Sequence, residues 1–353
     1  MLYTNPSYIK DINVAAQQCI GLAALENRNI LVTGASGLIG SFIVDMLMYI
    51  FEEMNVHISI CVLGRNKERL EMRFRSHTAK SNFHIIQHDI TKPLSTENRF
   101  DYIIHAASNA HPVAFANDPV GTMLGNLLGT QYLLDYAWRH GTKRTLYVSS
   151  GEVYGQGAQD VLRFDETYSG YVDSMTSRAC YPNSKRATET LCAAYASQFH
   201  ADVVVARPCH IYGACTTDGD NRASAQFINN VINGQDIVLK SPGQQLRSYC
   251  YIADCASALL TILLRGETAN AYNVANIESE VTILQLAETI ARLSGRKVVF
   301  EQPEDAEKAG YSKVSRSVLN AQKLEALGWK AVYSLDEGIG QTISIRNSMG
   351  QQG

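Results

Sequence analysis

Residues 29–40 read NILVTGASGLIG, and SFIVDMLMYIF follows directly. The short apolar run predicts a strand, the three glycines a tight turn, and the long apolar pattern a helix. Gly34, Gly37 and Gly40 let the backbone come close to a pyrophosphate, which the NH groups and the positive dipole end of the helix then hold. Spacing alone would be a weak signal. Its position between a strand and a helix makes it a dinucleotide-binding turn.

The same rhythm continues along the chain. Strands are expected at Ile58 to Leu63, His84 to Gln87, Tyr102 to Ile104, Thr145 to Ser149 and Asp202 to Arg207. Between them lie helical patterns, among them NKERLEMRF, Val120 to His140 and a segment running to about Phe199. Regular alternation of this kind means a parallel, doubly wound α/β sheet with ligands at the carboxyl ends of its strands. The second strand ends in Gly64-Arg65-Asn66-Lys67, where an acid would favour NAD and an arginine could take the 2′-phosphate of NADP. No acid stands there, so Arg65 and Lys67 leave NADP open. Asp89-Ile90 falls where an adenine contact is expected. Ala106, Ala107 and Ser108 are small residues suited to close approach. His88 and His105 read as packed or hydrogen-bonded side chains, since neither has a second ligand at a metal-binding spacing.

Beyond Arg207 the pattern loosens. Helices are expected at Ser224 to Asn233, Cys255 to Leu264 and Thr282 to Ser294, strands at DIVLK and Ala271 to Val274, and a pair of short helices in LNAQKLEALGW and SLDEGIGQTISI. We divide the chain into an extension (1–28) with a helix at Asn13 to Glu26, a Rossmann-type nucleotide domain (29–207), and a smaller, partly interleaved α/β domain (208–353) for substrate. The extension is expected to act as a cap or an oligomer contact.

Composition bounds the function. The chain has 353 residues, 46% hydrophobic and 18% charged, which is globular composition and enough for two domains. A net charge of −3, from 31 basic and 34 acidic residues without long runs of either sign, argues against a nucleic-acid or membrane surface. Eight cysteines without a CxxC pair support neither zinc nor a disulfide framework. No metal is expected, and a cytoplasmic location is.

The chemistry-bearing stretch is Ser177 to Thr190, SRACYPNSKRATET. On a helix, Tyr181 and Lys185 share a face. A nearby ammonium favours the phenolate and makes the tyrosine a candidate proton acceptor.

TGASGLIG, HDI, HAAS, SSGEVYG and YPNSK, in that order, resemble the extended short-chain dehydrogenase/reductase superfamily, in particular its NAD-dependent sugar-nucleotide epimerase/dehydratase branch, over roughly residues 29 to 345. The resemblance implies that Tyr181 takes the proton of a sugar 4-hydroxyl, that Lys185 lowers its pKa and holds the nicotinamide ribose, and that Ser150 hydrogen-bonds the same oxygen. It implies tightly held NAD, contacted by Gly34, Gly37, Leu38, Ile39, Gly40, Arg65, Asn66, Asp89, Ile90, Ala106, Ala107, Ser108, Asn126, Tyr181, Lys185 and Pro208. It also implies a homodimer, formed by the helices that carry Asn126 and Tyr181.

Within the branch, 4,6-dehydratases carry an Asp-Glu pair before Val-Tyr-Gly; here Gly151 leaves Glu152 without that partner. UDP-glucuronate decarboxylases look more similar, through Arg178-Ala179-Cys180-Tyr181, DGDNR and QQLRSYCYIAD. Gly151, His210 and Asn320 depart from their pattern. A nucleotide-diphosphate sugar, UDP-linked, is the expected ligand, met by Ser108, Arg178, His210, Arg222, Arg247 and Arg316. Glu152 and Arg247 are expected near the reacting end of the sugar and the diphosphate. Decarboxylation is the expected reaction; 4-epimerisation, 4,6-dehydration and, more distantly, reduction by NADPH remain alternatives.

Overall fold

The computed structural model describes residues 2–110, 112–217, 219–302 and 314–350. Its centre is a seven-stranded parallel sheet built from β1 (Arg28–Thr33), β2 (Ile58–Gly64), β3 (Phe83–Gln87), β4 (Tyr102–His105), β5 (Arg144–Val148), β6 (Val203–Pro208) and a strand at Ala271–Val274. Across the sheet the order is Ala271–Val274, β6, β5, β4, β1, β2, β3. The strand order reverses between β1 and β4, and at such a switch point a crevice opens beyond the strand ends. The sheet strand at Ala271–Val274 comes from deep in the C-terminal half, so the chain returns to the first sheet after leaving it.

The helix at Leu38–Glu53 follows β1 and is buried over most of its surface, from Phe42 to Met48. Between β4 and β5 lie a short helix, Pro112–Asn117, and a long one, Pro119–His140, which is capped by Asp118 accepting from the Gly121 amide at 2.8 Å. The helix Cys180–Phe199 packs against the long helix and leads to β6.

Two expectations are corrected. The N-terminal helix is Pro6–Gln18 rather than Asn13 to Glu26, with only a 3₁₀ turn at Leu22–Leu25. Asn5 caps it, accepting from the Tyr8 amide, and Pro6 occupies its first turn, where a missing NH is harmless. The final segment is not a pair of short helices: Gln322–Glu325 is short, but Leu335–Gly350 is long.

The N-terminal helix buries Tyr8, Ile12, Ala15 and Ala16 against Leu38–Glu53 and Ile252–Arg265. Polar contacts fix its orientation. The fully buried Asp11 accepts from the hydroxyls of Tyr251 at 2.5 Å and Tyr333 at 2.8 Å. Tyr8 donates to Asp45 at 2.8 Å, and Asp45 also meets Arg73 at 2.6 Å and His77 at 2.9 Å. Burial alone would push the Asp45 carboxyl up, but Arg73 and His77 hold it below the usual carboxylate range.

A second, four-stranded sheet joins His210–Tyr212, Leu246–Tyr251, Glu280–Thr282 and Arg316–Ser317, and a two-stranded piece pairs Ile237–Leu239 with Val298–Phe300. The helix Ala223–Ile232 runs beside them.

Removing Asp45 would leave Arg73 buried without its carboxylate. Asp45→Ala is expected to cost about 3–5 kcal/mol of stability by urea denaturation; a loss below about 1 kcal/mol would mean the cluster relaxes freely.

Candidate active site

At the switch point Gly34 has φ +68, and a Cβ there would lie 2.5 Å from the Ala106 carbonyl oxygen and 2.6 Å from the Ala107 nitrogen. A Cβ on Gly40 would lie 2.3 Å from the Gly34 oxygen. Only glycine fits either position, so the turn, the helix start and the end of β4 are drawn together. Gly37 caps the helix Leu38–Glu53 without a side-chain hydrogen bond, leaving its first NH groups open toward the crevice. Leu38 and Ile39 form the first turn and pack partly against the core.

A buried histidine sutures this end of the sheet. His105 reaches Thr33 Oγ1 through Nδ1 at 2.7 Å and Thr130 Oγ1 through Nε2 at 3.1 Å. Thr130 spends its proton on the Asn126 carbonyl at 2.7 Å, so His105 Nε2 donates and Nδ1 accepts. Burial, assisted by Lys185, brings the imidazole down to about 3 and keeps it neutral. The expectation of a hydrogen-bonded His105 is met.

The remaining cofactor candidates sit at the ends of neighbouring strands. Arg65 is exposed beyond β2 and its carbonyl accepts from Gln87 at 3.2 Å, while Asn66 caps the helix Lys67–Arg73. Asp89 follows β3 and accepts from the Thr91 amide and hydroxyl, which hold its carboxyl below the usual range. Ile90 lies against Gly129, where a Cβ would meet its Cδ1 at 2.7 Å. Pro208 ends β6 beside Gly151. Ser108 Oγ and Asn126 Oδ1 are buried without a partner, although Asn126 donates to Ser184 at 2.9 Å. Orphaned polar atoms beside a glycine cradle are what a bound dinucleotide would satisfy. The residues present fit NAD.

Tyr181 lies in the first turn of its helix and is 6% exposed. Lys185, one turn on, has Nζ 5.7 Å from the Tyr181 ring centroid and donates to the Val148 carbonyl at 2.8 Å. The two share a face as expected. Their electrostatics differ from the expectation that Lys185 lowers the tyrosine. Burial, then Glu152, pushes the Tyr181 hydroxyl up to about 12, while Ser150, Arg222 and Arg178 pull downward. Lys185 is itself brought down to about 7 by burial, opposed by Glu189, because its ammonium has a carbonyl rather than a carboxylate beside it.

Ser150 caps the 3₁₀ turn Gly151–Tyr154, accepting from the Glu152 amide at 3.2 Å, and lies close enough to Tyr181 to draw its hydroxyl downward. Glu152 is held by Arg178, whose Nη2 reaches both carboxylate oxygens at 3.1 and 2.9 Å. The Arg178 guanidinium lies 4.5 Å from the Phe115 ring, and Phe115 stacks on Tyr181 at 5.1 Å. A Cβ on Gly151 would meet Leu319 Cδ1 at 3.1 Å and the Pro208 oxygen at 3.4 Å.

Of the substrate candidates, Arg222 lies close enough to influence Tyr181 and is gripped by Asp220 at 2.5 to 3.0 Å. Arg247 is 6% exposed and, among the described residues, donates only to the carbonyls of Leu246 at 2.9 Å and Val314 at 2.6 Å; burial lowers its guanidinium, opposed by Tyr249 and Glu152. His210 is brought down to about 3 by burial, then by Arg247 and Arg222, and its Nδ1 has no partner. Arg316 sits one strand away, paired to Leu246 through the backbone, with its guanidinium on the Val161 carbonyl at 3.1 Å. Asp218 of the DGDNR motif lies outside the described residues.

Sequence reasoning missed three contributors. Phe115 stands on a short helix with no periodic signal. Asp220 lay unremarked inside DGDNR. Glu189, four residues after Lys185, bridges Ser149 and Arg207, with Arg207 Nη2 at 2.6 Å. Its helical spacing from Lys185 was the available signal.

The fold and the glycine cradle define a dinucleotide-dependent enzyme class with a Tyr/Lys pair at the strand ends. The chain matches the NAD dependent epimerase/dehydratase family over residues 30–275 and belongs to it, and NAD is its cofactor. Among curated proteins it is 34% identical to UDP-glucuronic acid decarboxylase 6 of Arabidopsis thaliana over 89% of this chain and 87% of that one. To UDP-glucuronic acid decarboxylase 1 of Danio rerio it is 32% identical, over 91% and 73%. Its fold resembles the UDP-glucose 4-epimerase of Thermotoga maritima (TM-score 0.77, 23% identity, 92% and 100% covered). It also resembles a dTDP-glucose 4,6-dehydratase of Streptomyces venezuelae solved with NAD (TM-score 0.78, 24%, 92% and 98%).

Lys185 gives a pH test. Its folded value lies below the ordinary 10.5, so its contribution to stability is complete above that value and lost as pH falls through about 7. Lys185→Met in cofactor-free protein is expected to raise the melting temperature, and more at about pH 6 than at about pH 9, with about 2–4 °C for each kcal/mol relieved. An equal shift at both pH values in calorimetry would contradict the assignment.

Proposed function

We propose that the protein converts UDP-glucuronate to a UDP-pentose and CO₂ by transient oxidation at sugar C4, with no net consumption of NAD. The carrying observation is that Ser150, which draws the Tyr181 hydroxyl downward, and a single carboxylate, Glu152, which pushes it up, both lie beside that tyrosine. NAD supplies the two-electron oxidation at C4 and its reversal. Tyr181 takes the 4-hydroxyl proton, with Ser150 on the same oxygen and Arg222 and Arg178 stabilising the phenolate. A ketone at C4 makes the C5 carboxylate a β-keto acid, which loses CO₂ without an acid for a leaving hydroxyl. In this reading Glu152 and Arg247, near enough to interact electrostatically, meet the reacting end, and Arg247 has no carboxylate partner among the described residues.

Gly151 supports this reading over dehydration. Gly151 carries no carboxyl, so the second acid that elimination of water calls for is absent, and a Cβ there would already sit 3.1 Å from the buried Leu319. Similarity to plant and animal UDP-glucuronic acid decarboxylases over most of the chain points the same way.

The reading extends to a homodimer in the cytoplasm. Val120, Met123, Leu124 and Trp138 are exposed apolar residues on the helix Pro119–His140, an area suited to a helical interface, and all eight cysteines are free.

Purified protein is expected to release CO₂ from UDP-glucuronate without added NAD, and Tyr181→Phe to reduce turnover by about 10²–10⁴-fold with NAD retained. Accumulation of NADH in step with product, or an unchanged-mass isomer as sole product, would overturn decarboxylation. Leu124→Glu is expected to yield a folded monomer in sedimentation velocity; an unchanged dimer would move the interface elsewhere.

A further inference from the structure

The charges around Tyr181 do not balance in equal ways. Arg222 is held by Asp220, in a pair whose side chains are 26% and 7% exposed. Arg178 is held by Glu152, in a pair 46% and 38% exposed. Arg247 and Arg316 donate only to carbonyl oxygens among the described residues. Two guanidinium groups without a carboxylate match the two charges of a sugar-linked diphosphate. A carboxylate on the sugar adds a third negative charge, and a third guanidinium must then be released from its present partner.

Geometry selects which one. The Asp220 fork on Arg222 is multidentate and largely buried, whereas the Glu152 contact uses only one nitrogen of Arg178 and is open to solvent. An exposed pair is weakly held. The Arg178 guanidinium also rests on Phe115, so the side chain can keep its place while its free edge changes partner. Phe115 in turn stacks on Tyr181, which puts that edge beside the reacting centre.

Resting on the nucleotide-sugar reading above, we infer that Arg178 recognises a carboxylate on the sugar by exchanging Glu152 for it, and that the exchange frees Glu152 next to Tyr181. Arg178 then discriminates acidic from neutral sugars. Because it holds the carboxylate before CO₂ departs, its loss weakens binding of the acidic sugar, and because it also draws Tyr181 downward, turnover falls with it.

The test is calorimetric binding of UDP-glucuronate and UDP-glucose to NAD-loaded protein, with CO₂ release measured on the same samples. Arg178→Gln is expected to weaken UDP-glucuronate about tenfold or more while leaving UDP-glucose within about twofold. Glu152→Gln is expected to tighten UDP-glucuronate severalfold, since Arg178 no longer has a carboxylate to leave. Should Arg178→Gln lose its NAD, Arg178→Lys, which keeps the charge and loses the planar edge, reports the same ratio and is expected to fall between. Equal weakening of both sugars, no preference for UDP-glucuronate in the wild type, or weaker binding in Glu152→Gln would each overturn the inference. The expected binding pattern without CO₂ release would keep it and remove decarboxylation instead.

Discussion

The backbone of Gly34 against Ala106 and Ala107 is the contact on which the site depends. Two parallel strands, β1 and β4, end side by side with their following chain turning in opposite directions, and the gap between the turns is the crevice. Any side chain at position 34 would collide with the Ala106 carbonyl, and any at position 40 with Gly34 itself. The helix amides of Leu38–Glu53 are therefore presented at the crevice floor. His105, neutral and buried, ties both strands to the helix carrying Asn126, so this floor is rigid on all three sides.

Tyr181 and Lys185 stand on that floor in a different balance from the one a Tyr/Lys spacing suggests. Burial acts on both: it favours the neutral tyrosine and the neutral lysine. The downward pull on Tyr181 comes from Ser150 and from two arginines contributed by separate segments, Arg178 just before its own helix and Arg222 at the start of Ala223–Ile232. Glu152 opposes them while being paired to one of them. Acid, base and cation thus form one electrostatic unit, and a change at any member alters the others.

The N-terminal helix shows how a segment distant from the chemistry can be integral to the fold. Its Tyr8 and Asp11 engage buried charges and tyrosines contributed by three other regions of the chain. Asn5 caps it and Pro6 stands in its first turn. The apolar pattern after Asn13 nevertheless drew the predicted helix downstream, because Ala and Gln suit a helix wherever it starts.

Most of the central sheet was written in the sequence. The glycine turn and alternating apolar runs placed six of its strands, and the one-turn spacing of Tyr181 and Lys185 gave their shared face, since these depend on local periodicity and on the absence of a Cβ. That Ala271–Val274 is the seventh strand of the same sheet was not legible, because its partner Val205–Pro208 lies more than sixty residues earlier. Nor was the role of Leu319, which fills the space beside Gly151, or of Phe115, which lies between Arg178 and Tyr181. The sequence by itself determined the nucleotide-binding fold, its glycine cradle and the shared face of Tyr181 and Lys185. Only the tertiary structure decided their charges and partners, because burial and ion pairing are set by residues that meet from far apart in the chain.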